Sequence, residues 1–333
     1  MKKGFISISI MAMIALFISG CSTSGGGGKN GAKDYPKGNL EIVAPATPGG
    51  GWDTTARSVQ KVLTDQKLVK NNINVVNKPG GGGEVGFKYT NGKDANHLAI
   101  NSSLLITNKL LGTSDLTYKD FTPLAILSTE WEAVVVPADS PFKNAKQLMQ
   151  KLKKEPRSLK ISVAPSLGND DHLAFVDAAK TFGVNVKKLN FLVVGSGGDT
   201  VNDLLGHHVD VATMSVSEAE EQYKAGKFKI LAITADKRMD ELKDVPTWKE
   251  QGVDVVFPHW RGIMGPPDMT KDQIAYWDDK LSKMVKTDQW KKILKNNEWE
   301  PFYKNSSETK KFMQEQTKNY TDLVKASGVQ KQK

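Results

Sequence analysis

The sequence predicts an α/β protein of two lobes, on three observations. Short apolar runs alternate with amphipathic stretches from Leu40 to Leu111. The first two runs each end in a glycine-rich loop that opens a helix. The same order, strand then small polar loop then helix, returns after Val136. Such alternation builds mixed, mainly parallel sheets flanked by helices, with a ligand cleft between the lobes. A chain of 333 residues with 39% hydrophobic content is long enough for both lobes.

The N-terminus comes first. Met1-Lys2-Lys3 supplies positive charge and Phe5 to Ile18 is an apolar stretch. It has the length of a signal peptide and is short for a membrane-spanning helix. It ends Ser19-Gly20-Cys21, small residues before the only cysteine in the chain. This resembles the bacterial lipobox, so residues 1–20 are expected to be a lipoprotein signal peptide and Cys21 the acylated residue. More than one acyl chain there would anchor the protein stably to a bilayer. Residues 21–34 include Gly25-Gly26-Gly27-Gly28 and read as a flexible tether.

The folded part is expected from Tyr35. Leu40 to Val43 reads as the first strand, followed by Pro45-Ala46-Thr47-Pro48-Gly49-Gly50-Gly51-Trp52-Asp53. Trp52, Ala56, Val59 and Leu63 recur at helical spacing, so a helix begins near Trp52 with Asp53 as a plausible N-cap. Glycine lets backbone approach a ligand closely, and the first amides of a helix lack internal partners. The loop is therefore a candidate anion cradle. Trp52 either packs to shape the loop or offers a stacking face. Ile73 to Asn77 is the second strand, followed by Lys78-Pro79-Gly80-Gly81-Gly82-Gly83 and a helix through Phe87 and Tyr89. Leu98 to Asn101 is the third, with Ser102-Ser103 opening the helix Leu104 to Leu111.

Phe121 to Val136 is a long β-like run. The second lobe then reads as a helix from Asn144 to Lys153, a strand from Leu159 to Ala164, and a polar loop with Ser166, Asn169 and Asp170. Next come a helix opened by His172, a strand from Asn190 to Val194, and a helix opened by Gly195 to Asp199. Two more strands follow, Val209 to Met214, leading into Ser215, and Ile230 to Thr234. Val253 to Phe257 and Arg261 to Met264 read as β-like, and the remainder as helices: Lys271 to Val285, Asp288 to Asn296, and Ser307 to Ala326 capped by Gly328. Phe121–Val136 and Val255–Met264 are the expected crossings between lobes. Residues 35–134 with 258–333 then form the first lobe and 135–257 the second.

Lys+Arg exceed Asp+Glu by 46 − 37, or +9, spread along Lys-rich helices. That spread fits solvated helix faces or attraction to anionic partners, and no basic stripe with interleaved aromatics argues for nucleic acid. Gly81-x-Gly83-x-x-Gly86 formally matches a dinucleotide fingerprint, but Lys78-Pro79 stands where a hydrophobic strand end should be. Ser58-Val59-Gln60-Lys61 lacks the companion motifs of the penicillin-binding enzymes. The five histidines have no zincin spacing and no second cysteine supports a zinc site, so neither metal nor cofactor is expected. His172 either caps its helix locally or meets a ligand. Arg261 either binds a carboxylate or pairs with an acid in the crossing segment.

Pro45 to Arg57, Asn77 to Gly86, Asp203-Leu204-Leu205-Gly206-His207-His208-Val209-Asp210 and Arg261 to Pro267 together carry a resemblance. From Tyr35 onward the chain resembles the solute-binding receptors of tripartite tricarboxylate transporters, the Bug-type receptors. The resemblance implies a two-lobe, type II periplasmic-binding-protein fold. It also implies that Thr47 and Gly49 to Gly51, with Gly81 to Gly83, hold one ligand carboxylate through backbone amides and ordered water. Ser102 and Ser103, with Ser166, Asn169, Asp170 and His172 from the opposing lobe, would supply further contacts. One departure stands out: the family often has Ser-Gly-x-Gly-Ser before the His-bearing helix, where this chain has Ser166-Leu167-Gly168-Asn169-Asp170-Asp171. Unless they face away, those two acids would repel a ligand's further carboxylates. The expectation is a monomeric, lipid-anchored extracytoplasmic receptor that captures a di- or tricarboxylate for the large and small permease subunits of such a transporter. The alternatives are a sensor, or an enzyme acting on a carboxylated substrate.

Overall fold

The structure is a computed structural model that describes residues 35–329. The expected signal peptide, Cys21 and the glycine tether lie outside the described residues. Chain order begins with β1 (Leu40–Ala44), α1 (Gly51–Asp65), β2 (Ile73–Asn77), α2 (Glu84–Asn91), β3 (His97–Asn101) and α3 (Leu104–Leu111). β1 is the centre of a parallel trio, paired with β2 from Leu40 against Ile73 and with β3 from Glu41 against His97. α1 buries Ala56, Val59, Val62 and Leu63, one stripe at helical spacing.

β4 (Thr122–Pro137) is buried almost end to end, as its apolar run requires. After it come α4 (Ala145–Lys154), β5 (Lys160–Val163), α5 (Asp170–Phe182), β6 (Asn190–Val193), α6 (Gly197–Leu205), β7 (Val211–Ser215), α7 (Val216–Lys224) and β8 (Phe228–Ile233). The chain ends with β9 (Pro258–Gly265), α8 (Lys271–Met284), α9 (Asp288–Asn296), β10 (Glu300–Lys304) and α10 (Ser306–Ser327).

β4 organises the sheet because its two halves have different partners. Thr122 to Trp131 runs antiparallel to β9, and β9 joins β3. Glu132 to Pro137 pairs with β7 and β8, and β7 leads through β5 to β6. The flanks are thus parallel and the centre antiparallel. α10 packs on β4, α3 and α5, and the indole N–H of Trp260 donates to the Tyr320 hydroxyl at 3.0 Å, pinning α10 to β9.

Two readings need correction, and one helix was not expected. Val253 to Phe257 alternates in burial, with Val253, Val255 and Phe257 buried and Asp254 and Val256 exposed, but forms no strand. The Phe257 amide donates to the Thr234 carbonyl, and no continuous ladder forms. Residues 300–304, expected to lie among helices, form β10 against β4. α7 follows Ser215, whose side chain and Glu218 make a capping box, a signal present in Ser-x-x-Glu but unread.

Candidate functional site

A cavity of about 680 Å³ opens between the two sheet halves. Gly49, Gly50, Gly51 and Trp52 border it from one half; Asn169, Asp170, Asp171, Ser196, Gly197 and Glu218 border it from the other. Glu130, His259 and Arg261, carried on β4 and β9, also border it.

The first glycine loop is held by Asp53, and here the expected N-cap is wrong. Gly50 is the cap, and Asp53 sits in the first turn of α1. Its carboxylate turns back to accept from the Gly49 amide at 2.8 Å, from Arg57 Nε at 2.9 Å and from Asn77 Nδ2 at 2.8 Å. Asn77 Nδ2 also donates to the Ala46 carbonyl at 3.0 Å, tying the end of β2 to the loop. Burial pushes the Asp53 carboxyl up, and those three donors outweigh it and hold it below the usual range. Gly49 has φ +85, which favours glycine. A Cβ on Gly51 would lie 3.0 Å from Arg261 Nη2, so the guanidinium occupies the space a side chain would take.

The second glycine loop sits behind this wall. Gly80 to Gly83 all have positive φ, and a Cβ on Gly83 would meet the Trp52 ring and Phe87 below 3 Å. Asn108 Nδ2 donates to the Gly82 carbonyl at 2.9 Å. Gly81, Gly82 and Gly83 do not border the cavity; Gly83 packs against the Trp52 ring, Gly82 against Asn108 and Gly81 against Glu84. Trp52 is 8% exposed, its ring 5.7 Å from that of Phe87, and it borders the cavity. Its packing role is the one seen, and its indole N–H has no partner.

The remaining expected residues divide. Ser102, Asn169, Asp170, Ser215 and Arg261 border the cavity. Thr47, Asp53, Ser103, Ser166 and His172 do not. Thr47 is exposed and accepts from the Gly50 amide through its carbonyl. Ser103 is buried and donates to Asp170. Asn169 caps α5, accepting from the His172 amide at 3.1 Å. His172 is 1% exposed, accepts from the Gly168 amide through Nδ1 at 3.0 Å and packs its ring edge on Phe191. Burial pushes its pKa down to about 4, so it is neutral at pH 7. Local structure, not the cavity, holds His172.

Sequence reasoning missed an acid–base array on β4 and β9. Glu130 lies opposite His259 in the ladder. His259 Nδ1 is 2.7 Å from Glu132 and 3.8 Å from Glu130, and its Nε2 is 3.4 Å from Asp170. Arg261 Nη2 pairs with Glu130, the acid in the crossing strand that was one of its two expected partners. Ser217 Oγ donates to Glu130 at 3.3 Å. Burial raises Glu130, but Arg261 and His259 outweigh it and hold the carboxyl below the usual range. Burial takes Glu132 up to about 7 against the pull of His259. His259 rises to about 9, because Asp170, Glu130 and Glu132 outweigh burial and the repulsion of Arg261. Asp171 is driven well above the carboxylate range by burial, then by Glu132 and Glu218. Glu218 is raised by burial and by Glu130. The readable signal was Glu130-Trp131-Glu132, two acids within a run otherwise fit for a buried strand.

Among the described residues, no group of three or more His, Cys, Asp or Glu is placed to hold a metal ion, and no helix is long and apolar enough to cross a membrane. The arrangement offers backbone donors and a guanidinium on one side and carboxylates on the other.

The profile of the tripartite tricarboxylate transporter family receptor matches residues 55–329. A UPF0065 protein of Pseudomonas sp. strain P51 is 27% identical over 259 residues, 75% of each chain. Among solved structures, a TctC solute-binding protein from Polaromonas without ligand matches with TM-score 0.75 at 26% identity, covering 87% of this chain and 99% of its own. An R. palustris protein solved with adipate shares the fold, with TM-score 0.75 at 20% identity over 89% of this chain and 99% of its own.

Proposed function

Because this chain belongs to the tripartite tricarboxylate transporter receptor family, we propose that it captures a small carboxylate outside the cytoplasm and delivers it to the large and small permease subunits of such a transporter. The observation that carries the reading is the cavity wall of Gly49 to Gly51. The start of α1 and the guanidinium of Arg261 converge there on one bordering surface. Helix N-termini favour anions, and Arg favours carboxylates. The cavity volume suits a small solute. The adipate held by a protein of the same fold supports the ligand class, and di- and tricarboxylates head the candidates. In this reading Gly49 to Gly51, Ser102, Asn169, Ser215 and Arg261 touch the ligand. Asp53 and the second glycine loop hold the first loop in shape. The protein acts as a monomeric receptor, not as an enzyme, and the lipobox-like Cys21 anchors it to the outer face of the cell membrane.

Thermal-shift titration of the purified protein tests the ligand. A carboxylate at about 100 times its dissociation constant stabilises by about 2.7 kcal/mol, a plain rise in melting temperature. Stabilisation by sugars alone would defeat the reading. Anchoring is tested separately: the wild type should fractionate with membranes and carry acyl chains by mass spectrometry, and Cys21→Ser should do neither. Delivery is tested by uptake of the identified solute, which should require both this protein and the permease.

A further inference from the structure

We propose that the solute selected by this cavity carries a protonated nitrogen as well as a carboxylate. The inference rests on the receptor reading and narrows it.

The two cations bordering the cavity are already engaged. Arg261 pairs with Glu130. His259 is 2.7 Å from Glu132 and 3.4 Å from Asp170. Asp171 and Glu218 also border the cavity; among the described residues neither forms an ion pair, though the charge of His259 acts on Glu218. Asp171 accepts from the Ala164 amide at 3.1 Å, and Glu218 from the Ser215 amide at 3.3 Å. Glu218 is set against Gly197, where only the absence of a side chain leaves room for its carboxylate.

A second observation points to what should meet this acidic wall. Asp170 is 3% exposed and borders the cavity, and its Oδ1 has no hydrogen-bond partner. Trp52 is also more than nine-tenths buried and borders the cavity, and its Nε1 has none either. Buried polar groups left unpaired cost free energy, so an unpaired acceptor and an unpaired donor on two side chains that border one cavity call for a ligand that completes both. A carboxylate accepts from the Trp52 and Arg261 side. An ammonium or guanidinium donates to Asp170 and to the carboxyl oxygens of Glu218 and Asp171, and its charge favours their ionised forms. A second ligand carboxylate in that place would meet like charges, which raise one another's pKa and repel. Burial first, and the neighbouring carboxylates after it, already raise Asp171 and Glu218 before any ligand arrives.

The test is isothermal titration of the whole protein at pH 7 with solutes of matched length: glutarate, glutamate and 4-aminobutyrate. Glutamate or 4-aminobutyrate should bind at least tenfold more tightly than glutarate. Glu218→Gln and Asp170→Asn should each weaken the amine-bearing solute at least tenfold and leave glutarate unchanged or improved. Gly197→Ala, which displaces the Glu218 carboxylate and removes no charge, should act in the same direction, with circular dichroism confirming the fold. Glutarate binding as tightly as its amine-bearing partners, or losing equally in the variants, would overturn the proposal and leave the carboxylate receptor standing. Binding of none of the three would overturn this proposal, and the wider carboxylate screen would then decide the receptor reading by itself.

Discussion

Asp53 shows how one residue can set a loop that it does not cap. Its bonds to the Gly49 amide, Arg57 and Asn77 converge under the glycines, so Asp53→Ala leaves three donors unmet. The expected outcome is a loss of about 1–3 kcal/mol in urea unfolding and weaker carboxylate binding. A variant with wild-type affinity would separate Asp53 from the site. The histidines make a second prediction, with opposite signs. His172 is buried and neutral, with its folded pKa lowered to about 4 from 6.5. Its contribution is complete above pH 6.5 and is lost as pH falls toward 4, on the order of 3 kcal/mol in all. His259 is raised to about 9, so its contribution is complete below pH 6.5 and is lost as pH rises toward 9. Glu132, raised to about 7, also lowers stability with rising pH, between about 4.5 and 7. Unfolding free energies measured from pH 4 to 9 should show both losses. His172→Gln should flatten the acid side alone.

At the scale of elements, the two glycine loops divide one task. The first borders the cavity and the second packs its supporting indole. Gly50 has φ −74, and a Cβ there makes ordinary contact with the Thr47 carbonyl at 3.4 Å. Gly50→Leu should therefore fold and place its side chain in the cavity, abolishing binding in calorimetry at nearly unchanged melting temperature. Gly83 has φ +96, and a Cβ would press into Trp52 and Phe87. Gly83→Ala should cost about 1–3 kcal/mol of stability, read as a lower melting temperature, before any effect on ligand is considered. The contrast is the check: a destabilised Gly50→Leu and an unaffected Gly83→Ala would reverse the division.

For the whole molecule, β4 and the chain leading into β9 are the connections between the sheet halves. β4 belongs to both, and Phe257 bonds to Thr234, just past β8, before β9 joins β3 and the first part of β4. We propose that these two segments are the hinges of a closure that brings Asn169, Ser215 and Glu218 onto a ligand held at Gly49 to Gly51. The lobe boundaries near residues 134 and 258 follow from that proposal. Small-angle scattering should show a smaller radius of gyration with saturating ligand. An unchanged radius with bound ligand would mean a preformed site.

Much of this molecule was decided locally, and that part was legible. Ile73 to Asn77, Leu104 to Leu111 and Asp288 to Asn296 form the elements read from the chain, because period and flanking glycine, serine or threonine act within a few residues. The first glycine loop was legible for the same reason, as was the apolar crossing strand. The site's charge was not. Glu130, Glu132, His259 and Arg261 come together through the β4–β9 ladder, and Asp170 joins them from α5, 3.4 Å from His259. Their pKa values exist only once burial has removed water and fixed the distances between them. β10 escaped for a related reason: Glu300 to Lys304 carries little strand pattern of its own, and its pairing with β4 makes it a strand. The sequence alone determined the α/β class, the family and the glycine loop that opens α1, all products of short-range pattern. Tertiary structure alone decided that the second loop supports the first, and that carboxylates face it, because long-range packing decides which groups are buried together.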